Sequence, residues 1–226
     1  MNRTNTLQKI LMLVILIVPF IIIYVYWAEI PERVPTHWNW RGEPDKFSGS
    51  KWATTIIPFV NLVLLSLFFI IPRIDPKKNF EKFQGTYRTL IMAISVFLVF
   101  VFFLTFFATL GYEFEFNLIM KNFILLLFLV MGNYLGKIRP NYFIGVRTPW
   151  TLENEQVWIK THRMAGPLWV ISSLVMILIN FVANEVIFNS LFIPFIIIVA
   201  GVPFVYSFLV YKKIDKMTTD QSKHEI

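Results

Sequence analysis

The 226-residue chain contains no cysteine, and that absence removes disulfides, thiolate nucleophiles, iron–sulfur clusters and cysteine-based zinc sites together. Histidine is scarce as well, at three residues, which leaves little from which to build a metal site. Charge is thin: Asp, Glu, Lys and Arg make up 15% of the chain, against about 25% in soluble domains. What fills the space is apolar, with 56% hydrophobic residues, 24 phenylalanines and a mean hydropathy of +0.62. A disordered chain and a water-soluble enzyme are both excluded by that balance. The net charge of +7 would suggest nucleic acid in a soluble protein. In a membrane chain it reflects basic cytoplasmic loops, so no direct nucleic-acid partner is expected.

Apolar runs of 18 to 21 residues occupy 10–27, 52–72, 90–110, 118–136, 165–182 and 191–211. As helices rising 1.5 Å per residue, each crosses a hydrocarbon core of about 30 Å. Open sheet cannot survive there, because lipid gives its backbone groups no partner. The expected fold is an all-α integral membrane protein of six transmembrane helices, with an irregular outer loop and a cytoplasmic amphipathic helix. It divides into 1–72 (two spans and the outer loop 28–51), 73–136 (the next two spans), and 137–226 (an inner block at 137–164 and the last two spans). The first span reads as a retained anchor, since its flank lacks a small-residue cleavage site. Lys121, the one charge inside a span, can snorkel to the headgroups.

Orientation follows from Lys and Arg, which resist translocation far more than acids do. The N-terminal segment has two, 73–89 five, 137–164 five and the C-terminal tail four, sixteen in all, while the intervening loops hold four, all in 28–51. Both termini are therefore expected in the cytoplasm, with 28–51 outside.

Two segments carry most of the polar chemistry. In the outer loop, Pro31, Pro35 and Pro44 with Gly42 and Gly49 resist helix and favour extended chain with turns. If 34–41 is extended, Val34, Thr36, Trp38 and Trp40 share one face and His37, Asn39 and Arg41 the other. The tryptophans suit either headgroup anchoring or a lip that grips a peptide. His37 with Glu43 and Asp45 is too poor a set for a metal, and a hydrogen bond from His37 to local backbone is the simpler expectation.

In the inner block, Gly132 and Gly136 lie four apart and suit close helix packing, with Asn133 beside them as an inter-helix hydrogen-bonding group. Pro140, Gly145 and Pro149 then force 139–148 into an ordered turn or re-entrant loop, with Arg139 and Arg147 held by local carbonyls or carboxylates. A helix is expected to restart near Thr148 or Thr151. On it Asn154, Trp158 and His162 recur every four residues on one face, with Glu155, Ile159 and Arg163 on the adjacent one. That helix could lie in the interface, dock a cytoplasmic protein, or lock against the last two spans.

The residues from Gly132-Asn133-Tyr134 through Pro140-Asn141-Tyr142-Phe143-Ile144-Gly145-Val146-Arg147-Thr148-Pro149-Trp150-Thr151-Leu152 to Trp158 and His162-Arg163 resemble the signature of the SdpI family of bacterial immunity membrane proteins. Pro35-Thr36-His37-Trp38-Asn39 with Gly42 and Pro44-Asp45 is similar to the outer-loop domain of unknown function that accompanies it. The resemblance implies a non-enzymatic immunity protein of the bacterial cytoplasmic membrane, protecting against a secreted peptide toxin of the sporulation-delay type. It further implies sequestration of a small winged-helix repressor at the membrane.

On that reading His37, Trp38, Asn39, Gly42 and Asp45 bind the ligand. Asn133, Arg139, Asn141, Arg147, Trp150, Asn154, Trp158, His162 and Arg163 bind a partner or gate, and no catalytic residue, metal or cofactor is expected. The alternatives are a small transporter, for which Asn61, Asn133, Asn180, Pro58 and Pro203 are the intramembrane candidates, or a peptide- or lipid-modifying membrane enzyme. The enzyme would use Arg139, Arg147, Glu153, Glu155, His162 and Arg163, but no nucleophile accompanies them.

Overall fold

The computed structural model describes residues 6–39 and 41–224, with side chains from 10 to 217 apart from position 40, so Trp40 lies outside the described residues. Among the described residues, seven helices and one hairpin follow in the order α1 (Thr6–Val25), β1 (Val34–Trp38), β2 (Pro44–Ser48), α2 (Ile56–Ile74), α3 (Gln84–Thr109), α4 (Phe116–Leu135), α5 (Pro149–Glu153), α6 (Glu155–Val182) and α7 (Glu185–His224). Short 3-10 turns, Lys51–Thr55 and Phe80–Phe83, lead into α2 and α3.

Five of these helical stretches are long and apolar enough to cross a membrane, and α1 contributes a shorter apolar stretch at Ile10–Val25. Their outer faces remain apolar: Phe69, Phe181 and Val182 are 68%, 80% and 84% exposed. In water such surface would drive association, whereas against acyl chains it costs nothing. The expected all-α multi-pass architecture is therefore the one present.

Two details differ from expectation. The loop 28–51 is not irregular: β1 and β2 pair antiparallel, with Val34 opposite Ser48 and Trp38 opposite Pro44. Register shifts on either side of His37 break strict alternation, so Val34 and Pro35 are both buried while Thr36 and His37 are both exposed. The connection is held by Asn39, whose Oδ1 accepts from the Arg41 and Glu43 amides at 2.8 and 3.1 Å, and by Gly42 at φ +84°.

Nor is there a separate amphipathic helix before the fifth span. α5 is a single turn, opened by Thr148 in a capping box with Pro149 at its first position. Asn154 then caps α6, accepting from the Gln156 and Val157 amides, and α6 runs unbroken through Pro167 to Val182. Asn154 thus stands at the helix entrance rather than on its face.

The chain forms two compact units. One comprises residues up to Phe69 with Ile91–Ile124; the other comprises Ile70–Leu90 with the chain from Leu125 onward. The core of the first gathers Ile23, Ile30, Val34, Phe102 and Phe106. In the second, Leu125, Val157, Trp158, Ala165 and Phe188 are fully buried.

α6 and α7 pack extensively in that second unit, and one contact repairs a helix defect. Pro203 has no N–H, so the Val199 carbonyl four residues earlier loses its helical partner. The indole Nε1 of Trp169 donates to that carbonyl at 2.7 Å. Within a turn of Trp169, α4 meets α6 at Gly132 and Gly166: a Cβ on Gly132 would come within 2.9 Å of the Gly166 carbonyl, and a Cβ on Gly166 within 2.9 Å of Gly132's. Gly132 is thus a packing position, as expected, but its partner is Gly166. Asn133 is exposed.

Candidate functional site

The first candidate site is the hairpin. His37 Nδ1 and Asp45 Oδ1 meet at 2.5 Å across the two strands, so the histidine's partner is a carboxylate rather than the backbone. Hydrogen bonding from His37 holds the Asp45 carboxyl below its ordinary value of 3.8. A depressed acid contributes stability that is present above its unfolded pKa and lost as pH falls through the folded one. The stabilisation Asp45 draws from the pair is therefore lost as pH falls through its lowered pKa. Both groups are exposed and free to meet a ligand. Asn39 Nδ2 donates to Glu43 at 3.0 Å, so Asn39 shapes the turn.

Trp38 faces inward and stacks on Phe116 at 4.2 Å and 6°. Behind it lies a cavity of about 100 Å³ bounded by Val34, Pro35, Trp38, Ile57, Phe102 and Phe106. That is the order of the ~150 Å³ cavities that accept a benzene-sized group. Gly42 packs on Asn117, where a Cβ would stand 3.2 Å from its amide nitrogen. Among the described residues no group of three histidines or acids is placed to hold a metal.

The second candidate site is the connector from α4 to α6. Its centre is Asn141, fully buried, which uses its whole hydrogen-bonding capacity: Nδ2 donates to the Arg139 and Ile144 carbonyls, and Oδ1 accepts from the Phe143 and Ile144 amides at 2.8 and 2.7 Å. Trp158 and His162 lie one turn apart on α6 as expected, but that face is inside. Trp158 is 0% and His162 1% exposed, and their rings stack at 4.2 Å. Trp158 Nε1 donates to the Ile138 carbonyl, and the Val146 amide donates to His162 Nε2 at 2.9 Å. Nε2 is thereby an acceptor, so Nδ1 carries the proton and donates to the Trp158 carbonyl. This imidazole is neutral and structural. It meets no partner protein from that position.

Arg147 is fixed as expected, donating to the Tyr142 carbonyl at 2.9 Å. The Arg139 guanidinium has no such carbonyl or carboxylate among the described residues. It is exposed and, with Arg163, borders a cavity. Trp150 packs edge-on against Phe204 and lies against Phe208 of α7, while Thr148 Oγ1 pairs with Ser207 at 3.0 Å. The connector is therefore bolted to the last helix.

Sequence reasoning missed the segment that closes this site from the other side. Asp75, 1% exposed, accepts from the Tyr142 amide through Oδ1; Asn79 donates to the Pro140 carbonyl at 2.9 Å; and Lys77 donates to the Leu152 carbonyl. The available signal was an acid inside a strongly basic loop, just past a helix end where negative charge is disfavoured.

Spans of this length, closed by a hydrogen-bonded connector and preceded by an anchored hairpin, define a multi-pass α-helical membrane protein. The SdpI/YfhL protein family matches residues 137–207, which cover the connector, α6 and most of α7, and Domain of unknown function (DUF1648) matches 14–62, which cover most of α1, the hairpin and the start of α2. The chain is also similar to the Immunity protein SdpI of Bacillus subtilis (strain 168), 25% identical over 211 residues, covering 92% of this chain and 98% of that protein. No solved structure matches the chain.

Proposed function

We propose that the protein is a non-enzymatic immunity protein of the bacterial cytoplasmic membrane, with both termini inside and the hairpin outside, protecting its cell from a secreted peptide toxin. The observation that carries this reading is the end-to-end similarity to a protein named for immunity. The hairpin supplies the contact surface: the exposed His37–Asp45 pair offers charge, and the apolar cavity behind Trp38 takes one hydrophobic side chain of a membrane-active peptide. The connector reports occupancy to a winged-helix repressor through its exposed Tyr142 and Arg147, while Trp158 and His162 hold its shape from within.

The test is protection of a sensitive strain expressing the chain against an added sporulation-delay-type toxin. His37→Ala, Trp38→Ala and Asp45→Ala are each expected to reduce survival at equal membrane abundance, with Trp38→Ala the most severe because it also opens the cavity. Unchanged survival in all three leaves the hairpin a structural part only and refutes the contact.

A further inference from the structure

We propose that the second unit holds a binding site for a phosphate-ester anion, the headgroup of an anionic phospholipid, in the cavity bordered by the Phe80–Phe83 turn, the connector at 136–139 and the first turns of α6. The cavity has a volume of about 330 Å³, and four cations line it: Lys82, Lys137, Arg139 and Arg163. No acid is among its lining residues, and among the described residues none of the four cations makes an ion pair. The hairpin unit shows the contrast, where Lys51 lies 3.6 Å from Glu32.

Four like charges around one hollow repel one another, and in the reduced dielectric at a membrane surface that repulsion is relieved by an anion. The negative end of α4, finishing at Leu135, accounts for Lys137 alone. Arg163 sits more than two turns into α6, where the helix ends offer it no such compensation. Lys137 also lies over the Tyr134 ring at 4.8 Å, a contact that leaves its charge intact.

Position selects the source of the anion. The cavity lies where α3 begins, α4 ends and α6 begins, the level at which spanning helices meet lipid headgroups. Phe83 and Ile159 give it an apolar wall that a free phosphate cannot use and a glycerol-linked acyl stem can. The two guanidiniums supply the forked donors that suit phosphate oxygens.

Purified full-length chain in neutral detergent, titrated with phosphatidylglycerol and followed by native mass spectrometry, tests this. Arg139→Gln with Arg163→Gln should weaken lipid binding about thirtyfold, the effect of removing two surface cations. Lys212→Gln with Lys213→Gln, on α7, should change it little. Inorganic phosphate should compete weakly. An equal fall in both double variants would mean diffuse attraction and overturn the site. No fall in the arginine variant would also overturn it, leaving the cavity to an acidic protein segment. Inorganic phosphate binding as tightly as the lipid would overturn the lipid assignment. Circular dichroism confirms folding, and Lys137→Gln alone, expected to weaken binding in the same direction, replaces the double variant if that one unfolds.

Discussion

Gly145 shows how narrow the tolerance of the connector is. Its φ is +116°, a region that L side chains rarely adopt, and a Cβ there would collide with Nε2 of His162 and stand 3.2 Å from the Trp158 ring. Neither ring can retreat, because Trp158 is held by the Ile138 carbonyl and His162 by the Trp158 carbonyl. Gly145→Ala is expected to cost about 2–4 kcal/mol from backbone strain and overpacking together, read as a lowered unfolding midpoint in detergent. Gly85, near the start of α3, has nothing within 4 Å of where a Cβ would stand, and Gly85→Ala should instead be neutral or stabilising by up to about 1 kcal/mol. Comparable losses at both positions would mean that the connector is looser than its contacts imply.

At the scale of elements, the α6–α7 crossing rests on a polar repair inside an apolar interface. Trp169→Phe removes the donor to the Val199 carbonyl and should cost about 1 kcal/mol, the usual size of a hydrogen bond between membrane helices. Pro203→Ala restores an N–H four residues on, so in that background Trp169→Phe should cost distinctly less. A double-mutant cycle of unfolding free energies measures the difference, and strict additivity would refute the repair. The spans themselves were legible because lipid demands long uncharged runs, and the Trp158–His162 spacing was legible because helical period is fixed. The side on which that face lies was not, since a buried face rich in His, Thr and Trp reads like an interfacial one until Ile138 and Val146 are brought around it. For the same reason the helix expected from Thr148 or Thr151 and the span expected at 165–182 read as two elements: Lys160, His162 and Arg163 mask a continuous helix. The hairpin was hidden because Pro35, Pro44 and the register shifts at His37 erase the alternation by which strands are read.

For the whole molecule, the proposed side of each end rests on the charge pattern. Sixteen of the 21 Lys and Arg fall in the terminal segments, 73–89 and 137–164, and four fall in 28–51. A chain inserted the other way would have to translocate the heavily basic 73–89 and 137–164 segments, which is the costlier arrangement. The cationic cavity at Lys82, Lys137, Arg139 and Arg163 belongs to those same segments, so its side is decided together with theirs. The chain has no native cysteine, which makes single-site labelling clean. A membrane-impermeant maleimide is expected to react with Thr36→Cys in intact cells, since that residue is exposed on the hairpin, and with Lys216→Cys, exposed near the end of α7, only after permeabilisation. Labelling in the reverse order would place the hairpin inside, where a secreted peptide cannot reach it, and would remove the toxin-contact reading along with the topology.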